Sequence, residues 1–410
     1  MSPLALFILS AILVSGLLDL YLRRRQIVAV TRHRDNVPAE FRDVLSLDEH
    51  RRAADYTVAG ARLGAARTIA QTAFALALLT LLLGPAFSLA SAIAPEGPAR
   101  STLVALIVGA LNYCLALPFA AARAFGVEAR FGFNRASPGL FALDEAKGLA
   151  LRLVAFVPLL YGFFALRAAL PTAWPLIGWA AGVILVCALA IILPVYVAPL
   201  FQTFTPLPHS AVKARIEALL ERRGYGRSGL FVVDASTRSS HGNAYFAGFG
   251  KARRIVLFDT LLARHSDDEI VSVLAHELGH CELGHVRRRL LEAAVLLAGL
   301  FAALALAFRD AALAAAFGLP ADPGVVLVIA LTAAGPLGRL LAPALNLLSR
   351  RAEFEADAFA GDMVGRAPMI AALTRLSRDN LSTLTPDALY AAFYYSHPPV
   401  PARVARLRAS

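Results

Sequence analysis

Charge is scarce in this chain: Asp, Glu, Lys and Arg together make up 17% of its 410 residues, apolar residues make up 58%, and mean hydropathy is +0.62. A soluble domain carries about 25% charged residues, so the composition excludes an ordinary water-soluble protein. Cysteine is scarce too. Cys114 and Cys187 lie in apolar runs, Cys281 stands alone, and no pair is spaced CxxC, so nothing calls for a disulfide framework. Lysine is almost absent, with three against 37 arginines, a bias of GC-rich genomes that points to a bacterial source. No internal repeat and no low-complexity tract interrupts the chain.

What is plentiful is long apolar runs. About 20 residues of helix cross the hydrocarbon of a bilayer, and seven segments qualify: 3–22, 68–93, 102–122, 153–170, 174–201, 290–308 and 325–348. Prolines 118, 158, 194, 336 and 343 fall inside them, which membrane helices tolerate. No Lys or Arg precedes the first run and Arg23-Arg24-Arg25 follows it, the reverse of a cleavable signal, so it is expected to stay as a helix. Segments 23–62, 123–152 and 202–289 carry nine, five and thirteen basic residues and the tail eight, whereas the alternate loops carry only Arg100, Arg167 and Arg309. By the positive-inside rule the N-terminus is outside and both large hydrophilic segments are cytoplasmic. The net charge of +11 then reflects topology and contact with anionic membrane lipids, not nucleic-acid binding.

The expected organisation is five spans over 1–201, a cytoplasmic insertion over 202–289, two spans over 290–348 and a C-terminal segment over 349–410. In the insertion, Ser210 to Arg223 has helical periodicity after a Pro-rich entry at Pro206 and Pro208. Gly229–Asp234 and Arg254–Asp259 read as short β-branched strands, with Asn243–Phe249 as a third between them and a turn around Gly250. Ser266 followed by Asp267, Asp268 and Glu269 marks a helix start, and that helix is expected to run through 270–285 and into the sixth span.

That helix carries His276-Glu277-Leu278-Gly279-His280. Residues i and i+4 stack on one helical face, so both imidazoles reach one ion while the Glu sits beside it. Imidazole suits zinc, three protein ligands leave a position for water, and Glu277 is the candidate base. A third ligand is needed. Position 286 is Val, which fails the longer three-histidine pattern, and His285 lies five residues past His280, facing elsewhere on a continuous helix. A carboxylate from a later helix is the alternative. Asn346, Arg350, Glu353 and Asp357, spaced 4, 3 and 4, share one helical stripe. Glu353 is placed to ligate, and Asp357 either orients a ligating His or shares in proton transfer. Glu355 and Arg351 read as a solvated face. Arg339, inside the last span, is expected to face a water-filled chamber below the zinc site, holding an acidic group or lipid headgroup there, the alternative being that it snorkels to the headgroups at a bend at Pro336 and Pro343.

The sequence resembles the integral-membrane zinc-type CAAX prenyl proteases, the family of the farnesylated-protein-converting enzyme. The resemblance runs through Glu128–Asn134, Ser239–Phe249, Arg254–Leu262, the HELGH pentapeptide, Ser349–Asp357 and Tyr395–Pro399. It implies a mainly α fold: seven transmembrane helices enclosing a chamber, with a zincin-like α/β catalytic unit on the cytoplasmic side. It implies one Zn2+ per chain held by His276, His280 and Glu353, with Glu277 as base, His397 and Arg403 on the oxyanion, and Asn243 contacting the substrate backbone from an edge strand. Gln202-Thr203 departs from the Asn-Lys that relatives often carry. In a bacterial inner membrane prenylated CAAX proteins are not expected, whereas in an endoplasmic-reticulum membrane they are. The substrate is therefore expected only to be a membrane-associated or lipidated peptide or protein. A heat-shock-type quality-control protease and an idle scaffold with structural zinc are the competing readings; the first has fewer spans, and the second has no use for Glu277.

Overall fold

The computed structural model describes residues 2–225, 229–247 and 254–409. Among the described residues, seven helices are long and apolar enough to cross a membrane: α1 Pro3–Arg32, α2 Leu47–Ile93, α3 Pro98–Glu128, α4 Pro138–Ala169, α5 Trp174–Leu200, α8 His285–Ala307 and α9 Pro323–Val364. Each matches one of the apolar runs to within a residue at the run's end, and several extend well past it. α2 starts at a reciprocal cap, Ser46 with Glu49, far upstream of residue 68. α9 continues to Val364 because the polar stretch after Ser349 holds mostly good helix formers, with Gly361 kept inside the helix, and the helix stops only at Gly365 (φ 97°). Three helices widen into π-turns, at Leu78–Leu82, Ala122–Glu128 and Leu193–Val197. Pro85, Pro118 and Pro194 lie in or beside those turns, where a missing N–H frees a carbonyl and the helix loosens. Phe7, Leu81, Val154, Ile184 and Val295 stand exposed on the bundle, as lipid-facing side chains should.

Between α5 and α8 the chain builds β1 Phe204–Pro206, α6 Ala211–Glu221, β2 Gly229–Val233, β3 Ala244–Ala247, β4 Arg254–Phe258 and α7 Asp267–Glu282. Gly248, Phe249 and Gly250, the expected end of the third strand and its turn, lie outside the described residues. The sheet order is β1-β2-β4-β3, with β2 and β4 parallel and both outer strands antiparallel. β1 is a strand where the sequence suggested only an entry to a helix; Pro206 is tolerated because it sits on an edge. Ile255, Leu257, Ile270 and Leu274 are fully buried between the sheet and α7, and each such side chain contributes about 1.5–3 kcal/mol. The C-terminal elements α10 Arg366–Asp379 and α12 Val400–Ala409 close over the same core, with Met369, Leu373 and Leu407 packed into it, while α11 Ala388–Tyr394 packs against α9 and α1.

One expectation of continuity fails. α7 does not run into the sixth span: Gly284 adopts φ 70°, a left-handed conformation cheap only for glycine, and α8 starts afresh at His285. Arg339, in turn, does meet an acid. Its guanidinium bonds Asp19 of α1 at 2.8 Å, with Ser15 at 2.9 Å and Tyr394 at 3.3 Å, and Arg23 takes the other Asp19 oxygen at 3.0 Å. Asp19 is only 1% exposed while the two arginines stay partly exposed, so a buried carboxylate ties α1 to α9.

Candidate metal centre

α7 is built to present two imidazoles rigidly. The Ser266–Glu269 capping box fixes its start, and Ile270, Leu274 and Leu278 pin one side into the core. His276 and His280 project from another side, toward α9. The two helices cross closely at Gly279, where a Cβ would meet the Ala356 Cα at 3.2 Å; glycine here lets the Glu353 carboxylate reach the imidazoles.

The three donors form a compact triangle. His276 Nε2 and His280 Nε2 are 3.2 Å apart, Glu353 Oε2 is 3.5 Å from the first and Glu353 Oε1 is 3.4 Å from the second. They form the one His/Cys/Asp/Glu group of metal-binding geometry among the described residues. Tetrahedral ligands about 2.0–2.1 Å from a zinc ion stand about 3.3 Å from one another, which is the spacing observed. Glu353 is 1% exposed. His397 Nδ1 lies 2.7 Å and Arg403 Nη2 3.8 Å from its Oε2, yet that buried oxygen accepts no hydrogen bond of good geometry among the described residues. A buried, unsatisfied carboxylate oxygen facing two imidazoles fits a cation.

Each imidazole is held from behind. His276 Nδ1 is 2.9 Å from Asp357 Oδ1, and Arg403 grips both Asp357 oxygens at 2.6 and 2.7 Å. Of the two roles open to Asp357, this geometry offers the orienting one. The Arg403 guanidinium is engaged with Asp357, and its Nη2 also lies 3.5 Å from His276 Nδ1 and 3.8 Å from Glu353 Oε2. His280 Nδ1 is 2.8 Å from His285 Nδ1, whose Nε2 is 2.9 Å from Glu355, itself paired with Arg288. Two readings of the sequence need correction here. The break at Gly284 turns His285 back onto His280, and Glu355, though exposed, holds His285 instead of merely facing solvent. His285 remains outside the three-donor group.

The rest of the α9 stripe holds the C-terminal segment. Asn346 Nδ2 donates to the Phe393 carbonyl at 2.7 Å, and Arg350 donates to the Tyr395 carbonyl at 2.8 Å and, at 3.4 Å, to those of Ala391 and Ala392. A cation at the C-terminus of α11 satisfies carbonyls that a helix end leaves free. The contacts ascend together: 346 with 393, 350 with 395, 353 with 397, 357 with 403. The stripe was visible in the sequence, but nothing there shows what Asn346 and Arg350 grasp.

A cavity of about 550 Å³ opens at the centre, lined by Glu277, His280, Glu353 and His397 and by Tyr245 and Phe246 of the edge strand β3. Asn243 is exposed just before β3, outside this lining; its carbonyl accepts from Phe258 N–H at 3.0 Å. Burial beside the site raises the pKa of Glu277, as suits a proton acceptor. Burial opposes charge on His276, but hydrogen bonds to Asp357 and Glu353 outweigh it and raise its pKa to about 9.

A membrane-spanning metallopeptidase is the class that this fold and site define. The description "Peptidase family M48" matches residues 206–410, and "CAAX prenyl protease N-terminal, five membrane helices" matches residues 26–203. The chain is 39% identical to the CAAX prenyl protease 1 homolog of Oryza sativa, over 71% of this chain and 69% of that one. It is 33% identical to CAAX prenyl protease 1 of Saccharomyces cerevisiae (81% and 76%) and 31% identical to the homolog of Homo sapiens (77% and 75%). The crystal structure of S. mikatae Ste24p superposes with a TM-score of 0.92 at 27% identity, over 99% of both chains. The chain belongs to peptidase family M48, in its CAAX prenyl protease 1 branch.

Two outcomes follow from the geometry. Without metal, His276 holds a proton below about pH 9, and a metal must displace it. Zinc affinity should therefore rise about tenfold per pH unit between about pH 7 and 8.5, measured by chelator competition; a flat profile would contradict the His276–Asp357 coupling. Arg350→Ala should lower kcat about 10- to 100-fold with KM little changed, by letting His397 drift, while Arg350→Lys restores much of the rate. Loss of KM alone would show that Arg350 serves substrate binding instead.

Proposed function

We propose that this chain is a zinc metalloendopeptidase that cleaves membrane-associated, lipid-bearing peptides at the cytoplasmic face of its membrane. The observation that carries this reading is the His276, His280 and Glu353 triangle with Glu277 beside it, opening on a cavity bordered by an edge strand. One Zn2+ would be held by those three residues, and when bound it supplies an acidified water and a polarising charge. Glu277 accepts the proton of the attacking water and passes it to the leaving amine. His397, its imidazole at the cavity, donates to the oxyanion. Asp357 fixes the ring of His276, and Arg403 fixes Asp357, so Arg403 supports the oxyanion side through position and field. An extended peptide adds to β3, with Asn243 at the head of that strand contacting its backbone. The relatives are named CAAX prenyl proteases, and seven membrane helices provide a setting for a lipid anchor. Orientation rests on the arginine-rich loops, which flank the same side as the catalytic unit.

Zinc-loaded protein should hydrolyse a farnesylated CAAX peptide with a fluorescence-quenched scissile bond faster than its unmodified form. Glu277→Gln should keep the zinc and lose turnover, whereas Glu353→Ala should lose zinc on dialysis against chelator. Full metal content in Glu353→Ala would refute the ligand set. Equal rates on the two peptides would refute the lipid preference.

A further inference from the structure

A second cavity, of about 690 Å³, lies where α2 and α3 face each other. Gly60, Leu63, Gly64 and Arg67 line it from α2 at i, i+3, i+4 and i+7, and Ala116, Ala120 and Ala124 are among the α3 residues opposite. Small residues on facing membrane helices ordinarily let the helices close together. Here the notches receive guanidiniums instead. A Cβ at Gly60 would come within 2.9 Å of the Arg123 guanidinium, and one at Gly64 would overlap that of Arg23. The glycines make room for arginines, and the arginines border open space.

The charges around this space do not balance. Arg238 is matched by Asp144 at 2.8 and 3.0 Å, and Arg123 by Glu128 at 2.5 Å. Arg23 and Arg339 share the single carboxylate of Asp19. Arg67 has no partner among the described residues. Four guanidiniums, Arg23, Arg67, Arg123 and Arg238, thus line the cavity against two carboxylates, Glu128 and Asp144, and the Asp19 carboxylate behind Arg23 is shared with Arg339, so the balance around the space stays two positive charges in excess. Their depth is also defined. Arg23 follows the apolar run 3–22, Arg67 precedes 68–93 and Arg123 follows 102–122, so all three stand at one boundary of the bundle, on the side of the metal centre. That boundary is the level of lipid headgroups.

We propose that this cavity binds the phosphate of an anionic phospholipid, with Arg67 as the free donor between Arg23 and Arg123. Guanidinium forks match phosphate oxygens two at a time, and cavities of about 300–1,000 Å³ take ligands of headgroup size. Leu63, Phe119 and Phe141 supply apolar wall for the glycerol and upper chains. The two-charge excess is what selects an anionic lipid over a zwitterionic one.

The test uses full-length protein in nanodiscs of phosphatidylcholine doped with phosphatidylglycerol, with lipid retained after detergent extraction read by native mass spectrometry. Wild type should retain phosphatidylglycerol selectively. Arg67→Gln, which breaks no contact within the protein, should lower that retention about tenfold, the worth of one charge-assisted hydrogen bond; Arg67→Lys should recover part of it. Arg62→Gln, exposed on the same helix but outside the cavity, should change nothing. Equal retention by wild type and Arg67→Gln, or equal losses for Arg62 and Arg67, would overturn the site. If glycerol 1-phosphate binds wild type as tightly as the lipid does, the occupant is a soluble phosphate and the lipid assignment falls. If Arg67→Gln instead raises KM for a peptide with a free C-terminal carboxylate and not for its amide, the cavity serves a substrate carboxylate and the lipid assignment is again overturned.

Discussion

The structure turns on one buried carboxylate. Glu353 is almost wholly shielded from water, yet it faces two imidazole edges and has an oxygen with no hydrogen-bond partner. Isolating a charge in this way costs several kcal/mol unless a positive partner compensates. A proton on His276 compensates only part of this arrangement, since His276 and His280 both turn nitrogens toward the same point. A divalent cation relieves all three at once. The close crossing at Gly279, the capped start of α7 and the grip of Arg403 on Asp357 all bring those three donors to one place.

α9 spreads that constraint over the molecule. In one unbroken helix it carries Arg339, salt-bridged to Asp19 within the bundle, and Glu353 at the metal centre, 14 residues or about 21 Å further on. Between and beyond them, Asn346, Arg350 and Asp357 fasten the C-terminal segment that delivers His397 and Arg403. Rotating or bending this helix would move a membrane charge pair, the third metal donor and the segment bearing His397 together. The peptidase chemistry and the membrane bundle are therefore parts of one mechanical unit.

Much of this was legible because it is local. Apolar runs located the seven helices, and spacings of three and four put both the His pair and the α9 stripe on single faces. What escaped depends on contacts between distant segments or on one backbone angle. On a continuous helix His285 faces away; a single left-handed glycine at 284 reverses that and recruits Glu355. Asn346 and Arg350 stood in the stripe without partners, since their partners are carbonyls some forty residues away with no side-chain signature. β1 was hidden by Pro206, which reads as a breaker until an edge position is available for it. The helices outran their apolar runs because hydropathy marks only the stretch in lipid.

The most direct test of the centre is X-ray absorption at the zinc edge of the purified, zinc-loaded protein. The geometry predicts a single zinc environment with two imidazoles and light oxygen ligands at about 2.0–2.1 Å, and no sulfur. A third imidazole, from His285 or His397, or a thiolate from Cys281 would show that Glu353 is not the ligand on which the centre is organised.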